Sequence, residues 1–235
     1  MKKTKQRAVS FAGCSWLLTY HLGVGKFIQK KLDPDDFCFA GASSGSIAAL
    51  TMATGIDVEE SYAFIHEKAS ESQSRILGPF GRMTGYLKEG FLRLLPKNAS
   101  ESAADRLFVS VTELPLFKNR LFQASDVHTN EDILQAVLAS CYIPLYYERP
   151  VFFEGRFCID GGLTDNCPRP VMDTITVCPP TRFHKNRADI HPPTVSLLKH
   201  AFLPKTDILK TLFDQGIKDA ENFFTKNARA KASRA

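Results

Sequence analysis

Two short stretches carry the residue types that ester hydrolysis needs. The first is Gly41-Ala42-Ser43-Ser44-Gly45, a serine with a glycine two positions to either side. The apolar run FCFAG (37–41) precedes it and the small-residue run SGSIAALTMATG (44–55) follows, so the serine falls on a strand-to-helix turn. A turn that tight needs small neighbours. It holds the hydroxyl at the edge of a sheet, at a helix N-terminus whose dipole favours developing negative charge. The second stretch is Asp160-Gly161-Gly162, directly after an apolar strand pattern. The glycines allow a sharp turn and leave the carboxylate near the sheet's rim. A carboxylate within hydrogen-bond reach of a serine takes its proton as general base.

The other base to consider is histidine. His184, His191 and His200 follow Ser43 and Asp160 in the order Ser–Asp–His found in α/β hydrolases. Two of them stand in the Pro-rich stretch 178–193, read as a surface loop, and the third on a helical stretch. The six cysteines, at 14, 38, 141, 158, 167 and 178, make no C-x-x-C, and no histidine pair has metal-ligand spacing. The cysteines read as reduced, buried small hydrophobes of a cytoplasmic protein.

The elements that position these residues alternate between strand and helix in the first half. AVSFAG (8–13) reads as a buried strand, followed by helical spacing over 16–32. After the 37–41 strand and the helix ending at Gly55 comes a helix from Asp57, its N-cap, to residue 75. The middle, 77–105, is mixed, with an amphipathic piece around 86–95. Residues 106–114 and 120–125 read as two strands, and 129–141 as a helix opened by a capping signal and stopped before Pro144. PVFFEGRFCIDGG (150–162) reads as a hairpin turning at Glu154-Gly155, 174–179 as a strand, and 203–224 as an amphipathic closing helix. The pattern gives one α/β domain over 8–225 with a mostly parallel sheet, between basic tails at 1–7 and 226–235.

Charge excludes one class of function. The net charge is +5, but each tail holds four cations and no acid, which leaves −3 on the body. A folded part of that sign is not a nucleic-acid surface. The first 20 residues run from basic to apolar, yet Ser, Gly and Thr interrupt them, so they are not read as a leader. No run reaches the ~18 apolar residues of a membrane span. The stretch 78–95 is apolar enough to lie at an interface, or to serve as a core or lid helix.

GASSGS around Ser43, IDGGLTDNCP around Asp160, and the linking VTELPLFKNRLF and VLASCYIPLYYERP resemble the patatin-like phospholipase family. The likeness is to its animal branch, which includes the adipose-type triglyceride lipases, and it runs from about Val9 to Phe224. It implies a three-layer α/β/α fold, with Ser43 as nucleophile and Asp160 as base in a Ser–Asp dyad without histidine. It implies hydrolysis of glycerolipid or other acyl esters, without metal or cofactor, by a protein peripheral on membranes or lipid droplets and open to a protein co-activator. The first strand of the family leads into a Gly-x-Gly-x-x-Gly loop whose amides stabilise the oxyanion. Gly13, Cys14 and Ser15 match that loop, with Ser15 where its second glycine belongs and Leu18 where its third belongs. If the second position needs φ > 0, serine costs ~1–2 kcal/mol there. The alternative is a catalytically weak or inactive lipid-binding relative.

Overall fold

A computed structural model describes residues 7–126, 129–179, 188–192 and 198–232. The chain opens with β1 (Arg7–Phe11), and a 3₁₀ turn (Ser15–Leu17) leads into α1 (Leu18–Lys31). β2 (Phe37–Ala42) runs directly into α2 (Ser44–Thr54), which ends at Gly55 in the left-handed region, φ 75°. In α3 (Val58–Gln73) the Asp57 side chain accepts from the Glu59 amide at 2.6 Å, the N-cap its sequence implied. The segment that resisted reading holds α4 (Met83–Leu94) and α5 (Ala99–Ala103). β3 (Leu107–Glu113) and β4 (Lys118–Gln123) follow. α6 (Asn130–Cys141) is opened by a reciprocal capping box between Thr129 and Asp132. β5 (Val151–Phe153) and β6 (Arg156–Ile159) form a hairpin whose turn residues Glu154 and Gly155 both have positive φ, 47° and 75°. β7 (Asp173–Val177), α7 (Leu198–Phe202) and α8 (Thr206–Ala232) complete the described chain.

The architecture is α/β. β1 lies between β2 and β7, and β3 joins β2, all parallel; the antiparallel strands gather beyond β3. One detail of register builds the site. β4 occupies one edge of β3 from Phe108 to Glu113. β2 and β6 must therefore share the other edge in succession, β2 from Leu107 to Ser110 and β6 at Thr112 and Glu113. β2 runs parallel to β3 and β6 antiparallel to it, so their C-terminal ends approach each other from opposite directions and stop either side of Val111. The next residue after β2 is Ser43, and the next after β6 is Asp160.

α2 packs along β1, β2 and β3, and α6, beside it, along β3, β5 and β6. α8 packs on α1, with Phe27 and Phe224 stacked at 5.7 Å and Tyr20 Oη donating to Asp219 at 2.9 Å. α8 continues to Ala232, past the end read at 224. Its last turns are rich in Lys, Ala and Arg, strong helix formers that continue a helix as readily as they make a tail. Of the Pro-rich stretch 178–193, residues 180–187 and 193 lie outside the described residues. Asp189 returns to β7, accepting from the amide and hydroxyl of Thr176 at 2.8 and 2.7 Å. No disulfide joins the cysteines, and all but Cys167 are buried. No described helix is long and apolar enough to cross a membrane.

Candidate active site

Ser43 sits at φ 53°, ψ −133°, a conformation costly for any side-chain-bearing residue, on the turn between β2 and α2. The surroundings hold it there. Its amide donates to Ser140 Oγ at 2.8 Å, and that hydroxyl donates to the Ser110 carbonyl of β3 at 2.7 Å. Its carbonyl accepts from Ser46 Oγ at 2.6 Å. Gly41 and Gly45 face each other closely enough that a Cβ on Gly41 would meet the Gly45 carbonyl, and one on Gly45 would meet Phe11 of β1. The strand–helix crossing behind the serine therefore admits no side chain at either position.

Asp160 follows β6 and is tied down from both sides. Its amide donates to the Tyr142 carbonyl at 2.9 Å and its carbonyl accepts from Thr112 Oγ1 at 2.8 Å. Gly161 turns against β3, where a Cβ would collide with the Ser110 carbonyl, and the Gly162 amide donates to Asp160 Oδ1 at 2.8 Å. Burial raises the Asp160 pKa from 3.8 to about 6, against the opposing pull of hydrogen bonds from Ser43 and the Gly162 amide. A carboxylate poised near 6 is ionised at neutral pH yet basic enough to accept a proton from a bound hydroxyl.

The loop from Gly13 to Ser15 lies beside this pair. The Gly13 amide donates to Asn166 Oδ1 at 2.9 Å, and the Cys14 amide donates to Ser44 Oγ at 3.0 Å. Ser15 stands at φ 55°, so the backbone that glycine would adopt freely is adopted here by serine. Among the described residues no protein acceptor takes the Ser15 amide. Tyr146 Oη receives Trp16 Nε1 at 2.8 Å and donates to the Phe202 carbonyl at 3.2 Å. Beneath the loop the buried His21 donates from Nε2 to the Ala12 carbonyl at 2.7 Å, with Cys14 Sγ 3.2 Å away. Burial lowers the His21 pKa to about 4, which keeps the ring neutral.

Ser43 and Ser44 open onto a predominantly apolar cavity. Leu18, Ile47, Ile65, Leu87, Phe91 and Tyr146 are among its walls. Leu18, in place of a glycine, thus puts its side chain into the cavity. α4 forms one wall, so the apolar stretch 78–95 is divided: 83–95 lines the cavity and 78–82 lies outside it. A charged clamp fastens α4 to α3. Lys68 contacts Glu67, Glu71 and Glu89 at 3.1, 3.3 and 2.8 Å. Burial pulls the Lys68 pKa down, but the three carboxylates outweigh it and raise it, so the lysine stays charged.

A family model described as "Patatin-like phospholipase" matches residues 9–173, well over half of the chain. The chain belongs to the patatin-like phospholipase family. Patatin-like phospholipase domain-containing protein 4 of Homo sapiens is 35% identical over 217 residues, covering 87% of this chain and 82% of that one. Patatin-like phospholipase domain-containing protein 2 of Bos taurus is 29% identical over 249 residues, 93% of this chain, and the chain spans about half (50%) of its length. A mouse relative named 1-acylglycerol-3-phosphate O-acyltransferase Pnpla3 is 28% identical, covering 94% of this chain and 59% of its own. Among solved structures, VipD from Legionella pneumophila superposes with a TM-score of 0.59 at 12% identity over 95% of this chain and 67% of that one. That likeness concerns the fold alone.

Within this patatin-like domain Ser43, Asp160 and the loop from Gly13 to Ser15, all chosen from sequence, lie together. No histidine acts on the Asp160 carboxylate among the described residues. His191 is exposed, its Nδ1 donating to the Pro192 carbonyl at 3.1 Å, and His200 is buried in α7; His184 lies outside the described residues. Three supporting residues escaped the sequence reading. Asn166 bridges the loop after Asp160 to Gly13, and Ser140 holds the Ser43 amide. Tyr146 joins Trp16 to Phe202. Asn166 carried a local signal, an uncharged amide in a polar turn six residues after the candidate base.

Proposed function

We propose that this patatin-like protein is a serine lipid acyl hydrolase working through a Ser43–Asp160 dyad. Asp160 takes the Ser43 proton as Oγ attacks the ester carbonyl. The resulting oxyanion is met by the Ser15 amide and its neighbours in the loop from Gly13 to Ser15. The alcohol departs with the proton held by Asp160, leaving acyl-Ser43. Water, deprotonated by Asp160, then releases the carboxylic acid. The acyl chain occupies the apolar cavity, and its ester-bearing end lies at Ser43. Glycerolipid esters are the substrate class, in keeping with the relatives' names, and such substrates put the protein peripherally at membranes or lipid droplets. The observation that carries this reading is the meeting of β2 and β6 on one edge of β3, which sets a strained serine against a buried carboxylate of raised pKa at the mouth of an apolar cavity.

A second reading, a weak or inactive lipid-binding relative, draws on a specific observation. Two of the three loop amides already serve Asn166 and Ser44. Hydrolysis of a short-chain p-nitrophenyl ester separates the two readings. Turnover that vanishes in Ser43→Ala supports the hydrolase. Absence of turnover both in the unaltered protein and after glycine is placed at 15 and 18 favours the binding protein.

A further inference from the structure

Two separate segments, 75–82 and 200–205, converge on a third at Tyr146, a residue of the cavity wall. The Tyr146 ring meets Phe80 edge-on at 4.7 Å and Phe202 at 5.5 Å, and the Gly81 amide donates to its carbonyl at 3.1 Å. Arg75, Ile76, Gly78, Pro79, Leu203 and Pro204 line a small groove together. Each segment turns large apolar side chains to solvent: Ile76, Leu77 and Phe80 from the first, Phe202 and Leu203 from the second, Leu145 from the third. Two of these have no folding rationale. Ile76 is 102% exposed, and Leu145 is 91% exposed while held at φ 71°, a conformation rare for a bulky residue. Scattered exposed leucines are ordinary, but exposed apolar side chains gathered around one residue of the cavity wall mark an interaction surface.

The charges around the rim choose the partner. Segments 75–82, 143–149 and 200–205 carry exposed Arg75, Arg82, Arg149 and Lys205. Their one acid, Glu148, accepts from the amides of Thr84 and Gly85 at 2.8 and 3.2 Å. Apolar side chains ringed by cations match a phospholipid surface bearing anionic headgroups. We propose that this rim is the face by which the protein seats on an anionic phospholipid surface, bringing the cavity mouth onto the lipid that supplies its ester. The proposal rests on the hydrolase reading for its purpose, though not for the binding itself.

The test measures sedimentation of the full chain with vesicles of phosphatidylcholine alone or with about 30 mol% phosphatidylserine. The variants are Leu77→Ser/Leu145→Asn/Leu203→Ser and, as a control, Leu116→Ser/Phe152→Ser at exposed apolar positions in the β3–β4 turn and on β5. Turnover of a soluble short-chain ester is followed alongside. The expected result is binding that requires phosphatidylserine, weakens with salt, and falls roughly tenfold or more in the triple variant. Soluble-ester turnover stays within about twofold, and the control binds like the unaltered protein. Binding unchanged in the triple variant, equally lost in the control, or absent in the unaltered protein overturns the proposal. So does conversion of a stable oligomer to monomer by the triple variant alone, which makes the rim a protein interface. Rim-dependent binding without any ester turnover leaves the surface standing and removes the hydrolase; Ser43-dependent turnover without rim-dependent binding does the reverse.

Discussion

Two serines take a positive φ after neighbouring strands, Ser43 beyond β2 at φ 53° and Ser15 beyond β1 at φ 55°. They reach it for different reasons. At Ser43 the side chain is what the site requires, and the protein fastens both sides of the residue to keep it there, with Ser140 on the amide and Ser46 on the carbonyl. At Ser15 the backbone is what the site requires, and the side chain is incidental to it. Glycine would take that conformation freely, whereas serine takes it under strain. Strain at the elbow is fixed by chemistry. Strain in the loop is a local choice that substitution can reverse.

The largest expected effects come from breaking the elbow side of this comparison. Ser43→Ala and Asp160→Asn should each lower kcat/KM on a soluble ester by ~10⁴-fold or more, and combining them should cost little beyond either alone, since the two act as a unit. Next comes the support of the loop. Asn166→Ala frees the Gly13 amide and lets the loop shift, so kcat should fall ~10²-fold with KM nearly unchanged. Steady-state kinetics on a folded variant, checked by circular dichroism, measures both.

The pH dependence sharpens the account of Asp160. With its pKa near 6, kcat/KM should rise with pH and level off above an apparent pKa near 6. Stability moves the other way. Folding raises this pKa from 3.8, so the contribution of Asp160 to stability is present below 3.8 and is lost as pH rises through 6. His21 is the opposite case: its pKa drops from 6.5 to about 4, and its contribution is present above 6.5 and lost as pH falls through 4. The two slopes oppose each other between pH 4 and 6. Asp160→Asn removes one of them. That variant should be more stable than the unaltered protein at pH 7 by on the order of 3 kcal/mol, and should lose stability more steeply on acidification. Urea unfolding at several pH values reads both effects.

The smallest effect isolates the loop's strain. Ser15→Gly and Ser15→Ala both delete the hydroxyl, so the difference between them is the backbone term. Glycine should be the more stable by ~1 kcal/mol, or about 2–4 °C in Tm, and the faster by a few-fold. Equal melting temperatures for the two variants would show that the left-handed conformation at 15 is not costly here.

Much of this was legible along the chain because it is local. The elbow is written in five consecutive residues, the capping box at Thr129–Asp132 in four, and the hairpin turn in Glu154-Gly155. The meeting of Ser43 with Asp160 is a matter of register, β2 and β6 sharing one edge of β3, and nothing within either strand states it. Asn166, Ser140 and Tyr146 act across the fold, 153, 97 and 130 residues from their partners Gly13, Ser43 and Trp16. Their roles depend on packing rather than on neighbours in sequence. α4 was ambiguous for a related reason: an apolar helix face reads the same whether it covers a core, a ligand cavity or a lipid surface.

The most direct test of the dyad is covalent labelling by a fluorophosphonate at several pH values, followed by peptide mapping. The account predicts a single label on Ser43, a labelling rate that climbs to a plateau with an apparent pKa near 6, and its collapse in Asp160→Asn. A label on another residue, or labelling of Asp160→Asn at the rate of the unaltered protein, would contradict it.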